Sequence, residues 1–228
     1  YIDKAVEYPV IIGMTMHLAS RFNFNYYFIF HYFLFLGCAI ISTVYLYKLS
    51  EKLNTKKKYL FIFWALAPTL IWFVYFNWDI ITVMFTVLAL YYYSEKRDTL
   101  ATIFVSLGFA TKMYPILLIF PVLMHRKFLS WIKIGVTFIT TFLAVNIYFM
   151  LNNFQMWYFI YGFHGGRPPN IDSIWALLMN LMPGLSISAV NMITLILFAS
   201  IYLYMNIKFK SKGFIYMSYL SILLFLLI

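Results

Sequence analysis

The sequence predicts an all-α protein built as a polytopic bundle of transmembrane helices, and three observations lead to that fold class. First, 64% of its 228 residues are hydrophobic and only 11% are charged, whereas a soluble domain is roughly 45–50% apolar and about 25% charged. Second, long uncharged apolar runs recur along the chain. Third, the basic residues concentrate in alternate connecting segments. This combination excludes both a soluble globular domain and a disordered chain.

The apolar runs have the lengths expected of membrane spans. A helix needs about 20 apolar residues, at roughly 1.5 Å each, to cross a hydrocarbon core of about 30 Å. Four uncharged runs are near that length: residues 26–47, 59–76, 134–151 and 186–207. Three shorter runs stand too close together to be soluble linkers: residues 80–94, 99–111 and 113–124. A last run begins at Phe214, so we expect about eight spans. Because the chain starts at Tyr1 without a methionine and stops within an apolar run, we expect a fragment truncated at both ends.

The distribution of Lys and Arg predicts the orientation of the bundle. Thirteen of the 17 basic residues follow the first, third, fifth and seventh runs, and the positive-inside rule assigns those segments to the cytoplasm. We interpret these residues as orientation signals and little else, which argues against nucleic-acid binding despite the net charge of +10. The other face then receives an outer loop with a short helix at residues 1–25, the turn at 77–79, the turn at Lys112 and an outer loop at 152–185.

No feature of the sequence divides the chain. Without an internal repeat or a domain boundary, residues 1–228 are expected to form a single transmembrane domain of a multi-pass membrane protein. A prokaryotic plasma membrane with the site outside fits this pattern, as does an endoplasmic reticulum with a lumenal site. The single cysteine, Cys38, allows no internal disulfide and no cysteine metal site, and within an apolar run it is most simply a small hydrophobe.

The outer turn at residues 77–79 holds the first candidate site residues, Asn77 and Asp79. The simplest role for Asp79 is an N-cap, because a carboxylate accepts hydrogen bonds from the first free N–H groups of a helix and suits its positive end. The alternative is a carboxylate that lines an outward cavity. The sequence leaves both roles open.

Lys112 lies between two runs of 13 and 12 residues, which as helices measure roughly 18–20 Å and are too short to cross the core. The Lys112 turn should therefore lie below the outer surface, and Pro115 supports a break because proline disfavours helix in the residue before it. Non-helical backbone at that depth needs a protein-lined or wet cavity. Snorkelling toward the interface is the plainer explanation of this lysine. The sharper one is an ammonium that meets the phosphate of an anionic lipid headgroup.

The longest polar stretch of the outer face surrounds Arg167, whose planar guanidinium suits phosphate. Asp172 or Ser173 has the chemistry to cap a helix that runs through Trp175. His164 is accompanied by no second His or Cys at ligand spacing, so it is most simply a polar loop residue. We therefore predict no zinc site, and we expect no other metal site and no cofactor.

Two acidic residues, Asp3 and Glu7, are spaced i, i+4 at the amino end. Their plain interpretation is an ordinary solvated loop. Their functional interpretation is a carboxylate in the outer cavity that acts as a general base toward a hydroxyl. Spacing alone does not decide between the two.

Four stretches together resemble the GT-C superfamily of membrane glycosyltransferases, and within it the polyprenyl-phosphate-mannose-dependent mannosyltransferases of actinobacterial type. Residues 1–9 resemble a Y-x-D-x-x-x-E-Y-P segment, although the family's Y-P-P is Tyr8-Pro9-Val10 here. The other three are Asn77-Trp78-Asp79, similar to an N-W-D turn; Gly108 to Pro115 with Lys112 and Tyr114, similar to G-x-x-x-K-x-Y-P; and Arg167 with Ser173-Ile174-Trp175, similar to a late R…S-x-W loop.

The resemblance implies a GT-C helix bundle and an inverting transfer. A polyprenyl-phosphate sugar, with mannose as the expected sugar, enters from the bilayer, and the hydroxyl of a glycan or glycolipid acceptor loses its proton to an aspartate of the first outer loop. That role falls to Asp3 or Glu7, unless the aspartate lies in the helix and loop that precede this point in the family. Lys112 and Arg167 are expected to hold the donor phosphate.

The remaining candidates are expected to shape the cavity or contact substrate: Asn77, Asp79, Tyr114, His164, Asp172 and Trp175. A transporter or flippase of a lipid-linked glycan is the rival function, because it too needs charges within the membrane. Inverted repeats would favour it, and we find none. A structural subunit of a membrane complex is a third alternative, and it leaves Lys112 at depth unexplained.

Overall fold

A computed structural model describes the backbone of residues 8–171, 173–182 and 184–227, and their side chains except at 73 and 163–165. Within these ranges the chain is helical and has no strand, which confirms the all-α class. The first helices are α1 (Val10–Ala19), α2 (Phe24–Lys52), α3 (Lys57–Leu60), a π-helical turn (Phe61–Ala65), α4 (Pro68–Phe73), α5 (Asp79–Ser94) and α6 (Asp98–Phe109). They are followed by a 3₁₀ turn (Tyr114–Leu118), α7 (Ile119–Leu123), α8 (Phe128–Asn152), α9 (Phe154–Gly166), α10 (Ile174–Leu181), α11 (Ile187–Lys208), a second 3₁₀ turn (Lys210–Lys212) and α12 (Phe214–Leu227).

Three of the described helices, α2, α8 and α11, are long and apolar enough to cross a membrane. They correspond to the predicted spans at residues 26–47, 134–151 and 186–207. In lipid, a helix satisfies its backbone polar groups within the segment, so a long apolar run has no better conformation. Asn23 begins the first of these helices by accepting a hydrogen bond from the N–H of Tyr26 (3.2 Å). These helices make the chain an integral membrane protein, while the total of about eight spans stays a prediction.

The run at residues 59–76 does not form the single helix that its apolar length predicts. It is divided into α3, the π-helical turn and α4, with a break at Leu66 and Ala67. Pro68 explains the break, because it has no N–H to donate and it forces the preceding residue out of the helical region. Ala67 accordingly has an extended ψ of 122°. This part of the chain is therefore an irregular layer beside α2.

The contacts divide the chain into two compact units, and the first comprises residues 8–147. Its core lies where α2 packs on α5, and it contains Phe35, Cys38 and Ile81. Cys38 is a buried, unpaired thiol, as expected of a small hydrophobe. Helices α5 and α6 pack against each other, and both contain small buried residues such as Ala89 and Ala101, which are typical of helix packing within membranes.

The second unit contains the described residues from 148 onward. Here α11 packs against α9 and α12, and Asn206 donates to the hydroxyl of Ser221 across that contact (3.3 Å). The segment 152–185, expected as an outer loop, holds two helices, α9 and α10. Ser173 caps α10 by accepting from the N–H of Ala176 (3.2 Å), which confirms one of the two predicted caps.

Candidate active site

Two of the predicted site residues, Asp79 and Lys112, form an ion pair at one end of the α5–α6 pair. Lys112 Nζ lies 2.6 Å from Asp79 Oδ1, and the side chains remain 39% and 40% exposed. Asp79 is the first residue of α5, and Lys112 lies in the turn that follows α6. The two residues stand 33 positions apart in the chain. This is an ion pair that a ligand can reach.

The turn at Lys112 is held by the carbonyl of Gly108. That oxygen accepts from the N–H groups of Thr111 (3.0 Å) and Lys112 (2.8 Å), and from the Thr111 hydroxyl (2.5 Å). Helix α6 therefore ends in a tight turn instead of continuing. The chain resumes as a 3₁₀ turn with Pro115 in its first positions, which agrees with the predicted break.

Gly108 allows the chain to fold back so closely. A Cβ atom at this position would lie 3.0 Å from Pro115 Cγ and 3.3 Å from Phe85 Cβ. Only a residue without a side chain lets the backbone of α6 approach both the proline ring and α5 at these distances. The glycine and the proline of the G-x-x-x-K-x-Y-P stretch thus have a shared packing role.

A buried hydrogen bond fixes the turn to α5. The hydroxyls of Thr82 and Thr111 lie 2.9 Å apart, and both residues are fully buried. Thr82 is one turn along α5 from Asp79, and Thr111 immediately precedes Lys112. The bond therefore sets the relative position of the carboxylate and the ammonium.

The N-cap interpretation of Asp79 is wrong, since its carboxylate pairs with Lys112 and α5 begins without a side-chain cap from Trp78. The side chain that binds the backbone at this helix start is that of Asn77, whose Oδ1 accepts a hydrogen bond from the N–H of Asp79 (2.9 Å). Asn77 thereby orders the backbone on which Asp79 stands. Tyr114 is half-buried; it hydrogen-bonds Thr86 and lies near the charge of Asp79.

The start of α1 adjoins the same turn. The N–H of Ile11 donates to the carbonyl of Ala110, two residues before Lys112 (3.1 Å). Pro9, two residues before Ile11, therefore lies close to the Lys112 turn. The proposed catalytic residues Asp3 and Glu7 lie outside the described residues.

One residue near the site escaped the sequence analysis. His31 lies on α2, and its ring centroid is 4.5 Å from that of Trp78, the neighbour of Asp79. Its Nδ1 contacts the carbonyl of Tyr27 (2.9 Å), whereas Nε2 is buried and finds no partner among the described residues. The signal in the sequence is a polar ring inside a long apolar run, and the length of that run predicts only a span.

The remaining predicted site residues belong to the second unit. Arg167 is exposed and directly follows α9, and Trp175 is half-buried in α10, two residues after the Ser173 cap. The side chain of His164 and all of Asp172 lie outside the described residues. The expectation that Arg167 joins Lys112 at one phosphate therefore stays a prediction.

The charges at the ion pair indicate what it can bind. The ammonium of Lys112 carries three N–H donors, and the structure assigns one of them to Asp79. The free donors suit an anionic oxygen, and the half-exposed setting gives such a group access. Within the described ranges, His, Cys, Asp and Glu form no group of three that could hold a metal ion.

Comparison with known proteins gives one match. The model of glycosyltransferase family 87 matches residues 8–227, nearly the whole chain. The match includes the turn at 77–79, the Lys112 turn and the stretch from Arg167 to Trp175. No curated protein and no solved structure matches this chain.

Proposed function

We propose a specific reaction for this chain, which belongs to glycosyltransferase family 87 and is therefore a membrane glycosyltransferase. It transfers a sugar, with mannose as the first candidate, from a polyprenyl-phosphate donor to a hydroxyl of a glycan or glycolipid. The reaction takes place on the non-cytoplasmic face of a bundle of GT-C type. The family match favours this enzyme over a transporter or flippase.

The observation that carries the proposal is the open ion pair of Lys112 and Asp79. When the bond between the sugar C1 and the phosphate oxygen breaks, negative charge develops on the departing phosphate. A cation placed there lowers the barrier, because it is ordered before the charge appears. Asp79 holds the ammonium in place through one hydrogen bond (2.6 Å) and leaves the others for the phosphate.

The other half of the reaction needs a base. A carboxylate removes the proton of the acceptor hydroxyl, the oxygen forms a bond to C1, and polyprenyl phosphate leaves with the bonding electrons from the opposite side. The configuration at C1 is thereby inverted. We assign the base to Asp3 or Glu7, and the bond from Ile11 to Ala110 supports this by joining the start of α1 to the Lys112 turn.

The remaining residues receive auxiliary roles in this proposal. Arg167 supplies a second cation for the phosphate. Tyr114 and Trp175 offer aromatic faces that can stack on sugar rings. We also assign substrate contacts to Asn77, His164 and Asp172.

A transfer assay in proteoliposomes tests the donor class. Full-length protein is incubated with radiolabelled mannosyl phosphoryl polyprenol and candidate glycolipid acceptors, with a nucleotide-linked mannose as the parallel donor. We expect label in the acceptor, and release of polyprenyl phosphate, only with the lipid donor. Transfer from the nucleotide donor alone, or passage of the intact glycolipid across the bilayer without bond cleavage, would contradict the proposal.

The same assay assigns the base. Asp3→Asn and Glu7→Gln are compared with Asp79→Asn, which removes the partner of Lys112 but no proposed base. Loss of a base lowers the turnover number at saturating donor. Loss of Asp79 raises the donor KM as well, because the ammonium is no longer held in place. Full turnover in both Asp3→Asn and Glu7→Gln would place the base elsewhere in the protein.

A further inference from the structure

A second site lies at the far end of the first unit. Between the last turns of α2 and the segment of α3 and the π-helical turn is an open cavity of about 720 Å³. Lys52, at the end of α2, donates to the carbonyl of Ser94 at the end of α5 (2.6 Å). Asp79 is at the other end of the 16-residue α5, about 24 Å away along the axis. The cavity is therefore separate from the Lys112 site.

The cavity has an apolar end and a basic end. The Trp64 indole donates to the hydroxyl of Thr43 (2.8 Å), and Lys57 hydrogen-bonds the hydroxyl of Tyr47. These two contacts show that α2 and the facing segment run antiparallel. Val44 and Ala65 therefore line one end of the groove, and the lysines line the other end, which we call its mouth.

The mouth carries more positive than negative charge. Three lysines, Lys48, Lys57 and Lys58, and a single glutamate, Glu51, line it. The glutamate is paired with Lys57 (3.0 Å), whose pKa is raised by hydrogen bonds to Tyr47 and Glu51.

The other two lysines keep their charge available. Lys48 lies over the ring of Tyr45 (4.8 Å) and Lys58 over the ring of Tyr59 (5.4 Å). Neither of them forms an ion pair among the described residues. Two cations without an acidic partner thus stand at the mouth of an apolar groove.

We propose that this groove, lined by Val44, Phe61 and Ala65 and flanked at its mouth by Lys48 and Lys58, binds an anionic membrane phospholipid. An acyl chain lies along the apolar part, and the headgroup phosphate lies between the two lysines. Alternate basic loops assign this end of the chain to the cytoplasm, where the leaflet supplies anionic lipids. The site takes a resident lipid and does not deliver the donor, whose phosphate belongs at Lys112.

Native mass spectrometry of the full chain, released from nanodiscs that contain phosphatidylglycerol and phosphatidylcholine, tests this proposal. We expect retained phosphatidylglycerol on the wild type. In the double variant Lys48→Gln, Lys58→Gln we expect retention to fall by about 30-fold, because each basic residue near an anionic lipid contributes roughly fivefold in affinity. The matched control is Lys127→Gln, Lys133→Gln, which removes two exposed lysines that do not line the cavity.

A second variant keeps the charges and fills the groove. Val44→Trp leaves every lysine in place and occupies the acyl-chain path. A site with an apolar part predicts that this variant also loses phosphatidylglycerol, whereas simple attraction to a basic surface predicts no change. The proposal is overturned if the wild type retains no lipid, if the control variant loses as much as the Lys48 and Lys58 variant, or if Val44→Trp binds like the wild type.

Discussion

Two ion pairs hold opposite ends of the α5–α6 pair, and they are built differently. At one end, Lys112 meets Asp79 through a single contact of 2.6 Å, with both side chains about two-fifths exposed. At the other end, Arg126 meets both carboxylate oxygens of Asp98 at 2.9–3.0 Å, and also donates to the carbonyl of Tyr93 (2.9 Å). These side chains are only 16% and 13% exposed.

This difference in exposure and in the number of contacts indicates that the Arg126 pair is a structural contact and that the Lys112 pair can bind a ligand. The guanidinium of Arg126 directs its donors at protein oxygens, so it closes the corner between α5, α6 and α7. The ammonium of Lys112 keeps unused donors and access from outside. The sequence predicts only an orientation signal at Arg126, whereas the structure shows that Arg126 also joins α5 to α6 through Tyr93 and Asp98.

Lys112→Ala tests the open pair and carries the largest expected effect. Loss of a preorganised charge at the leaving phosphate should lower the turnover number by about 10²–10³. The unfolding midpoint should hardly change, because an exposed ion pair contributes at most about 1 kcal/mol. Both quantities are measured on purified protein, by radiolabelled transfer and by thermal unfolding, with Lys127→Ala as the matched control. A variant that keeps at least half of the wild-type turnover would remove Lys112 from the reaction.

Arg126→Ala tests the closed pair, and we expect the opposite result. Removal of the guanidinium leaves Asp98 poorly solvated without its partner, which should lower the free energy of unfolding by about 2–3 kcal/mol. The turnover of the molecules that remain folded should stay near that of the wild type. Denaturant unfolding in detergent gives the first quantity, and active-site-normalised transfer gives the second. A stable Arg126→Ala protein with low turnover would abolish the distinction between the two pairs.

Gly108→Val tests how the open pair is positioned. The added side chain cannot fit against Pro115 and Phe85, and overpacking of this kind costs about 1–3 kcal/mol. Because the strain falls on the Lys112 turn, the turnover number should fall by more than the lower free energy of unfolding alone explains. Gly135→Val, in α8, is the control, since a Cβ there meets nothing within 4 Å. Equal losses in the two variants would show only the low helix propensity of valine.

Thr82→Val removes the hydroxyl contact with Thr111 and should have the smallest effect, about 1 kcal/mol in the free energy of unfolding. Thr111 keeps its own bond to Gly108 (2.5 Å), so no hydroxyl is left unpaired. We expect a modest rise in donor KM, measured by initial rates. Thr140→Val, which changes an exposed threonine of α8, should leave KM unchanged.

The sequence by itself determined the fold class and the long spans. The runs at residues 26–47, 134–151 and 186–207 predicted helices that the structure contains, because in lipid an apolar segment must satisfy its backbone internally. Local chemistry also predicted the Ser173 cap and the break before Pro115. The break before Pro68 follows from the same rule, and in this segment the effect of the proline outweighs the apolar length of the run.

Only the tertiary structure decided which polar side chains meet. Asp79 and Lys112, 33 residues apart, form a pair, and so do Asp98 and Arg126, 28 apart. Nothing in the local sequence around Asp79 distinguishes a helix cap from a partner of a distant lysine. The choice depends on how closely α5 and α6 approach, and Gly108 and the bond between Thr82 and Thr111 set that approach beside the two charges. Helix formation is a local balance, whereas an ion pair requires two segments to be placed together by the packing of the whole unit.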